Sequence, residues 1–145
     1  MSAPVYFMQQ ALLSGRQALP GCLPNPPVGC VLVKDRHIVG QGFTQRPGEP
    51  HAEAMALAQW PGDCSGLTAY VTLEPCSFQG RTPSCARTLV QRGVGRVVVA
   101  MLDPDPRNAG AGVQILRQAG IEVQVGLLAE EAAQDLSAYL LAGGY

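Results

Sequence analysis

The chain has 145 residues, 47% of them apolar, and a formal net charge of −1, which fits one folded domain and excludes a disordered segment. Its ten basic residues, Lys34 the only lysine among them, are scattered, so the basic face that nucleic-acid binding needs is missing. No apolar run approaches the ~20 residues of a membrane span, the start MSAPVYFMQQ lacks the features of a signal peptide, and five irregularly spaced cysteines suit reduced thiols in the cytoplasm.

In chain order, residues 4–17 suit an amphipathic helix with Pro4 near its start, where a missing N–H costs nothing. VGCVLVKDRHIVGQGF (28–43) reads as a hairpin, two β-branched runs about a polar turn at Lys34–Arg36, with His37 a solvated turn residue. Residues 51–60 read as a helix and LTAYVTL (67–73) as a buried strand. SCARTLVQRG (84–93) is a helix closed by Gly93, and RVVVAM (96–101) is a strand. GVQILRQAG (112–120) is a helix, IEVQVG (121–126) a strand, and AEEAAQDLSAYLLA (129–142) a final helix with two acids in its first turn. After the hairpin the order is αβαβαβα. It predicts an α/β fold: a three-layer α/β/α arrangement around a mixed five-stranded sheet, the hairpin followed by parallel strands. No repeat or linker divides residues 1–145, so a single domain is expected. Ligands of such sheets bind beyond the carboxyl ends of the strands, where the loops EPCSFQGRTPSC (74–85) and MLDPDPRNAGAG (101–112) fall.

His51 is one of only two histidines in the chain, set in PHAE, with Cys76 and Cys85 downstream. Imidazole and thiolate are the usual zinc ligands, and three of them leave a fourth tetrahedral position for water, the catalytic arrangement. Thr82 and Pro83 read as N-cap and N1 of a helix, which places Cys85 in its first turn, where unpaired N–H groups favour thiolate. Pro50 likewise marks a helix start, with His51 and Glu53 in the first turn. Glu53 is therefore positioned to hold a water beside the metal and move its proton without being a ligand. Taken singly, His51 reads as a surface residue and either cysteine as a small buried apolar one. The combination H-A-E, E-P-C and C points instead to zinc-dependent hydrolysis. Zinc deaminases carry H-x-E with P-C-x-x-C; here eight residues separate the cysteines. Cys30 reads as core, and Cys22 and Cys64 lie in loops without a histidine partner.

PNPPVGCVLVKD (24–35), GEPHAEAMAL (48–57), AYVTLEPCSFQGRTPSC (69–85) and GVGRVVVAMLDPDP (93–106) together resemble the riboflavin-pathway pyrimidine deaminases, over nearly the whole chain. The resemblance implies a cytidine-deaminase-like fold, a zinc cofactor and hydrolytic loss of an exocyclic amino group as ammonia. The implied substrate is a 2,5-diamino-6-ribosylamino-pyrimidinone 5′-phosphate. By the family's motif His51, Cys76 and Cys85 match the zinc ligands and Glu53 the proton shuttle, Asn25 a substrate-contacting amide, and Arg81 a basic residue facing the ribose phosphate. Asn25 suits a heterocycle edge, offering both donor and acceptor, and Arg81 suits an oxyanion; each also reads as an ordinary loop residue. Asp103 and Asp105, at the expected mouth, read equally as substrate contacts or as caps of the next helix.

The resemblance further implies a homo-oligomer, dimer or tetramer, and water as co-substrate, with no nucleic-acid or membrane partner. Members are often fused to a following reductase domain, which residues 1–145 are expected to lack. Thr44, Phe78, Asp105 and Ala111 stand where the family usually has histidine, histidine, asparagine and a basic residue. These replacements weaken the case for a phosphate. A different, unphosphorylated amino-heterocycle is therefore the alternative substrate. A nucleic-acid-editing deaminase would want a basic groove and stacking aromatics. A non-catalytic zinc module would want a fourth protein ligand and no Glu53.

Overall fold

The computed structural model describes residues 2–79 and 83–140. Helix α1 (Ala3–Arg16) starts at the Ser2 N-cap, whose side chain accepts the Val5 N–H. Strands β1 (Gly29–Lys34) and β2 (His37–Phe43) form the hairpin. They turn through Asp35 and Arg36, both at positive φ, the two-residue turn whose twist matches that of the strands. His37 is the first residue of β2, paired with Lys34, rather than part of the turn.

Helix α2 (Ala52–Leu57), strand β3 (Thr68–Val71), helix α3 (Cys85–Arg92) and strand β4 (Arg96–Val99) follow. Helix α4 (Ala111–Gln118), strand β5 (Glu122–Val125) and helix α5 (Ala129–Leu136) complete the fold. The helix expected over residues 51–60 is shorter because the chain turns at 58–59, ahead of Pro61, which disfavours helix in the residue before it. His51 is the N-cap of α2 rather than a member of its first turn. Helix α3 is capped by Ser84, not by Thr82, which lies outside the described residues. Gly93 closes it at φ 73°, as the sequence predicts. Helix α5 stops at Leu136, before the end of its apolar pattern.

The sheet order is β2-β1-β3-β4-β5. β1 is antiparallel to both β2 and β3, whereas β3, β4 and β5 are parallel. Alternation along the strands sends side chains to two separate cores. Cys30, Leu32, Ala69, Val71, Val97 and Val99 pack under α2, α3 and α4. Val31, Val33, Tyr70 and Val98 pack against Phe7, Met8, Ala11 and Leu12 of α1 and Ala132 and Leu136 of α5. The molecule is thus the three-layer α/β/α sandwich with the mixed sheet.

This topology decides where chemistry can sit. Because β1 runs against β3, Cys30 pairs with Val71, and the segment before β1 that carries Asn25 meets the chain leaving β3 toward Cys76. One end of the sheet collects the start of β1, the exits of β3 and β4, and the N-termini of α2, α3 and α4.

Candidate active site

A cleft at this end of the sheet is lined by Asn25, Pro26, Val28, Thr44, His51, Glu53, Leu73, Glu74, Cys76 and Cys85. His51 has extended backbone at the N-cap of α2 and makes no side-chain capping bond. Its Nδ1 lies 3.2 Å from Cys85 Sγ and 4.0 Å from Cys76 Sγ. The three ligand atoms all lie within 4.8 Å of one another. Tetrahedral zinc with ordinary Zn–N and Zn–S bonds places its ligands about 3.5 Å apart. One imidazole and two thiols on that scale fit the ion, and among the described residues they supply three of the four ligands of a tetrahedral site. No other such cluster occurs among the described residues.

Ser84 builds much of this. Its Oγ accepts the Arg87 N–H, capping α3, and donates to the Cys76 carbonyl at 2.7 Å. The Ala86 N–H donates to the same carbonyl at 3.1 Å. The first N–H of α3, that of Cys85, donates to Cys76 Sγ at 3.2 Å. This N–H of the helix terminus therefore serves Cys76, whereas the spacing pointed to an effect on the Cys85 thiol itself. Without a metal, the Cys85 thiol donating to Cys76 pulls the Cys76 pKa down to about 5. The same bond, with burial and the nearby Glu53, pushes Cys85 well above the ordinary thiol range. Hydrogen bonding to Cys76 also raises His51.

Glu53, in the first turn of α2, is buried. Burial raises its pKa to about 7, opposed by His51. A carboxyl poised there can both take and give a proton near neutral pH.

Thr44 secures the Asn25 side of the cleft. Its Oγ1 donates to the Pro26 carbonyl and accepts the Val28 N–H, each at 2.9 Å, and its N–H donates to the Val28 carbonyl at 3.0 Å. The hydroxyl is thus spent on the loop that carries Asn25. Arg81 lies outside the described residues. Asp103 Oδ1 accepts the Asp105 N–H, and Asp105 accepts the Arg107 N–H and pairs with its guanidinium at 2.6 Å. That guanidinium lies over the Phe78 ring, 4.7 Å from its centroid. Neither aspartate caps α4, and neither lines the cleft.

Capping of α4 falls to Glu74 and Asn108, which sequence reasoning passes over. Glu74 is buried, with Oε1 accepting the Asp103 and Gly110 N–H groups and Oε2 that of Val113, at 2.9–3.1 Å. A carboxylate closing an otherwise apolar strand run, TLEPC, is the signal that marks it, since a buried charge needs partners. Gly112 lets α4 come close to the same segment: a Cβ there would stand 1.8 Å from the Pro75 carbonyl oxygen.

Residues 1–101 match the family model described as the cytidine and deoxycytidylate deaminase zinc-binding region. The chain is 53% identical to riboflavin biosynthesis protein RibD of Escherichia coli (strain K12) over 129 residues, 89% of this chain and 35% of that protein. It thus spans about a third of the length (35–36%) of the first curated relatives it matches. A shorter relative, the diaminohydroxyphosphoribosylamino-pyrimidine deaminase of Buchnera aphidicola subsp. Acyrthosiphon pisum (strain APS), is 42% identical over 130 residues, 90% of this chain and 88% of that protein. Among solved structures, Acinetobacter baumannii RibD, form 1, superposes with a TM-score of 0.92 at 50% identity, over 97% of this chain and 39% of that one. A match over this much of the chain, within which His51, Cys76 and Cys85 fall, makes it a member of the cytidine and deoxycytidylate deaminase zinc-binding family, similar within it to the riboflavin-biosynthesis deaminases.

Proposed function

We propose that this chain is a zinc-dependent hydrolytic deaminase that acts on the diaminopyrimidine ribosylamino 5′-phosphate of riboflavin biosynthesis. The observation that carries the reading is the convergence, in one cleft, of the three ligand atoms and the buried carboxyl of Glu53. The similarity to the Buchnera deaminase supports the choice of substrate. In this reading His51 Nδ1, Cys76 Sγ and Cys85 Sγ would hold zinc, which would supply Lewis-acid activation of water. Glu53 takes the proton from the attacking water and delivers it to the ring nitrogen beside the amine-bearing carbon. Glu53 then takes the remaining proton of that water, from the hydroxyl now on the carbon, and passes it to the departing nitrogen, so that the carbonyl forms as the C–N bond breaks and the nitrogen leaves as ammonia rather than as an amide anion. Asn25 offers donor and acceptor to the heterocycle edge, and Arg81 meets the phosphate through its planar fork.

We assign Asp103 and Asp105 to shaping the loop, since their oxygens already receive N–H groups of Asp105 and Arg107. Asp105 also favours the second reading, an unphosphorylated amino-heterocycle, because it takes up the Arg107 guanidinium next to Phe78. We further infer a cytoplasmic homo-oligomer, dimer or tetramer, in which residues 1–145 act as one domain. Five unbonded cysteines support the compartment, and exposed Tyr6 and Leu13 on α1 support association, which sedimentation would measure. No helix of the described residues is long and apolar enough to cross a membrane.

Glu53→Gln tests the mechanism. Zinc content should stay at the level of the unaltered protein while ammonia release falls by about 10²- to 10⁴-fold, the usual worth of a general acid–base group. Unchanged turnover in that variant would remove Glu53 from the mechanism.

A further inference from the structure

Asn108 sits on the loop between β4 and α4, 2% exposed, and uses both ends of its carboxamide. Oδ1 accepts the Ser77 N–H at 3.2 Å and the Gly112 N–H at 3.1 Å. Nδ2 donates to the Pro75 carbonyl at 3.3 Å and lies 3.5 Å from Asp103 Oδ2. The Pro75 carbonyl belongs to the peptide that enters Cys76, and the Ser77 N–H to the peptide that leaves it. One side chain thus holds both peptide planes that flank Cys76, which fixes the backbone dihedrals from which its Sγ is aimed. The carboxamide orientation is set by chemistry, because the reverse would turn NH₂ onto two N–H groups and oxygen onto a carbonyl.

The anchor itself is firm. Gly112 brings the first turn of α4 against the Pro75 carbonyl, and Glu74 holds the N–H groups of Asp103, Gly110 and Val113. The opposite flank of Cys76 is held by Ser84 and Ala86 through its own carbonyl. Asn108 is the member of this set that reaches both sides of the cysteine.

We propose that Asn108 is a positioning residue for the metal: by gripping the peptides on either side of Cys76 it presets the thiolate toward His51 and Cys85. The inference rests on the reading that His51, Cys76 and Cys85 hold zinc. Groups that orient metal ligands typically contribute about 10- to 100-fold in metal affinity. The loss should appear in metal binding itself, not only in turnover.

The experiment is zinc affinity of the whole chain by competition with a chromophoric chelator. The unaltered protein is compared with Asn108→Val, which removes the bonds at similar volume, and Asn108→Asp, which turns an oxygen onto the Pro75 carbonyl. Val123→Ala, in β5 and packed at the edge of the α2–α4 core, is the control for general loss of stability. Weaker zinc binding by about 10- to 100-fold in either Asn108 variant, with Val123→Ala unchanged, is the expected result. If Asn108→Val fails to fold, Asn108→Asp carries the same comparison. Zinc held as tightly by the Asn108 variants as by the unaltered protein would overturn the proposal, as would an equal loss in Val123→Ala. No zinc uptake by the unaltered protein would overturn the ligand assignment, and this inference with it.

Discussion

Replacing Glu74 by glutamine changes one oxygen of a buried carboxylate to NH₂ and leaves its shape intact. In the native protein Oε1 accepts the Asp103 and Gly110 N–H groups at 3.1 and 2.9 Å, and Oε2 accepts the Val113 N–H at 3.1 Å. The amide oxygen can keep the first two bonds without their charge assistance. Its NH₂ then faces the Val113 N–H, donor against donor. Stranding that buried donor costs about 1–3 kcal/mol, and weakening two charge-assisted bonds adds about 1–2 kcal/mol. The competing effect is relief of carboxylate desolvation, which alone would make glutamine neutral or stabilising. Three N–H groups converging at the positive end of α4 outweigh it, so the net loss is about 2–5 kcal/mol, a large share of the ~5–15 kcal/mol of a domain. The melting temperature should fall by roughly 4–20 °C, at about 2–4 °C per kcal/mol for this size. Thermal and urea unfolding of the metal-free chain, with a chelator present, measure it. A glutamine variant as stable as the unaltered protein, or more stable, would refute the reasoning.

Zinc uptake should release protons: sharing with Cys76, and then burial, keeps the Cys85 proton in place without metal, and His51 is also raised. Loading at neutral pH displaces at least about one proton per zinc, and affinity weakens about tenfold per unit as pH falls for each proton displaced. An indicator-dye titration reads it, and uptake without acidification contradicts it. Thr44→Val keeps the shape of the side chain but strands the Val28 N–H and frees the Pro26 carbonyl, at a cost of about 1–3 kcal/mol. It should raise KM more than it lowers kcat, with zinc content unchanged, because it loosens the loop of Asn25. An unaltered KM would separate Thr44 from substrate binding.

The order of elements was legible because local chemistry writes it plainly. Continuous runs of β-branched and other apolar residues mark β1 and β4, Asp35–Arg36 marks the hairpin turn, and Gly93 marks the end of α3. His51, Glu53, Cys76 and Cys85 were legible for another reason: few other functions call for those residue types in that order. What sequence could not show was which peptide groups the loops would bring together. Glu74 and Asn108 act on backbone N–H and C=O groups distant in the chain, and any residue type supplies those, so no pattern records the pairing. The same blindness applies to Cys85. Its helix position was read correctly, but its N–H points to the sulfur of Cys76, a consequence of packing that spacing does not encode. Helix α2 was overextended because apolar periodicity continues past Leu57 although the chain turns.

The most direct test is ammonia release by the zinc-loaded protein, with the phosphorylated diaminopyrimidine of riboflavin biosynthesis compared with its dephosphorylated form. Turnover of the phosphorylated compound, abolished when zinc is removed and restored when it is returned, is the predicted result. Turnover of neither compound by protein that holds zinc would contradict the proposed substrate.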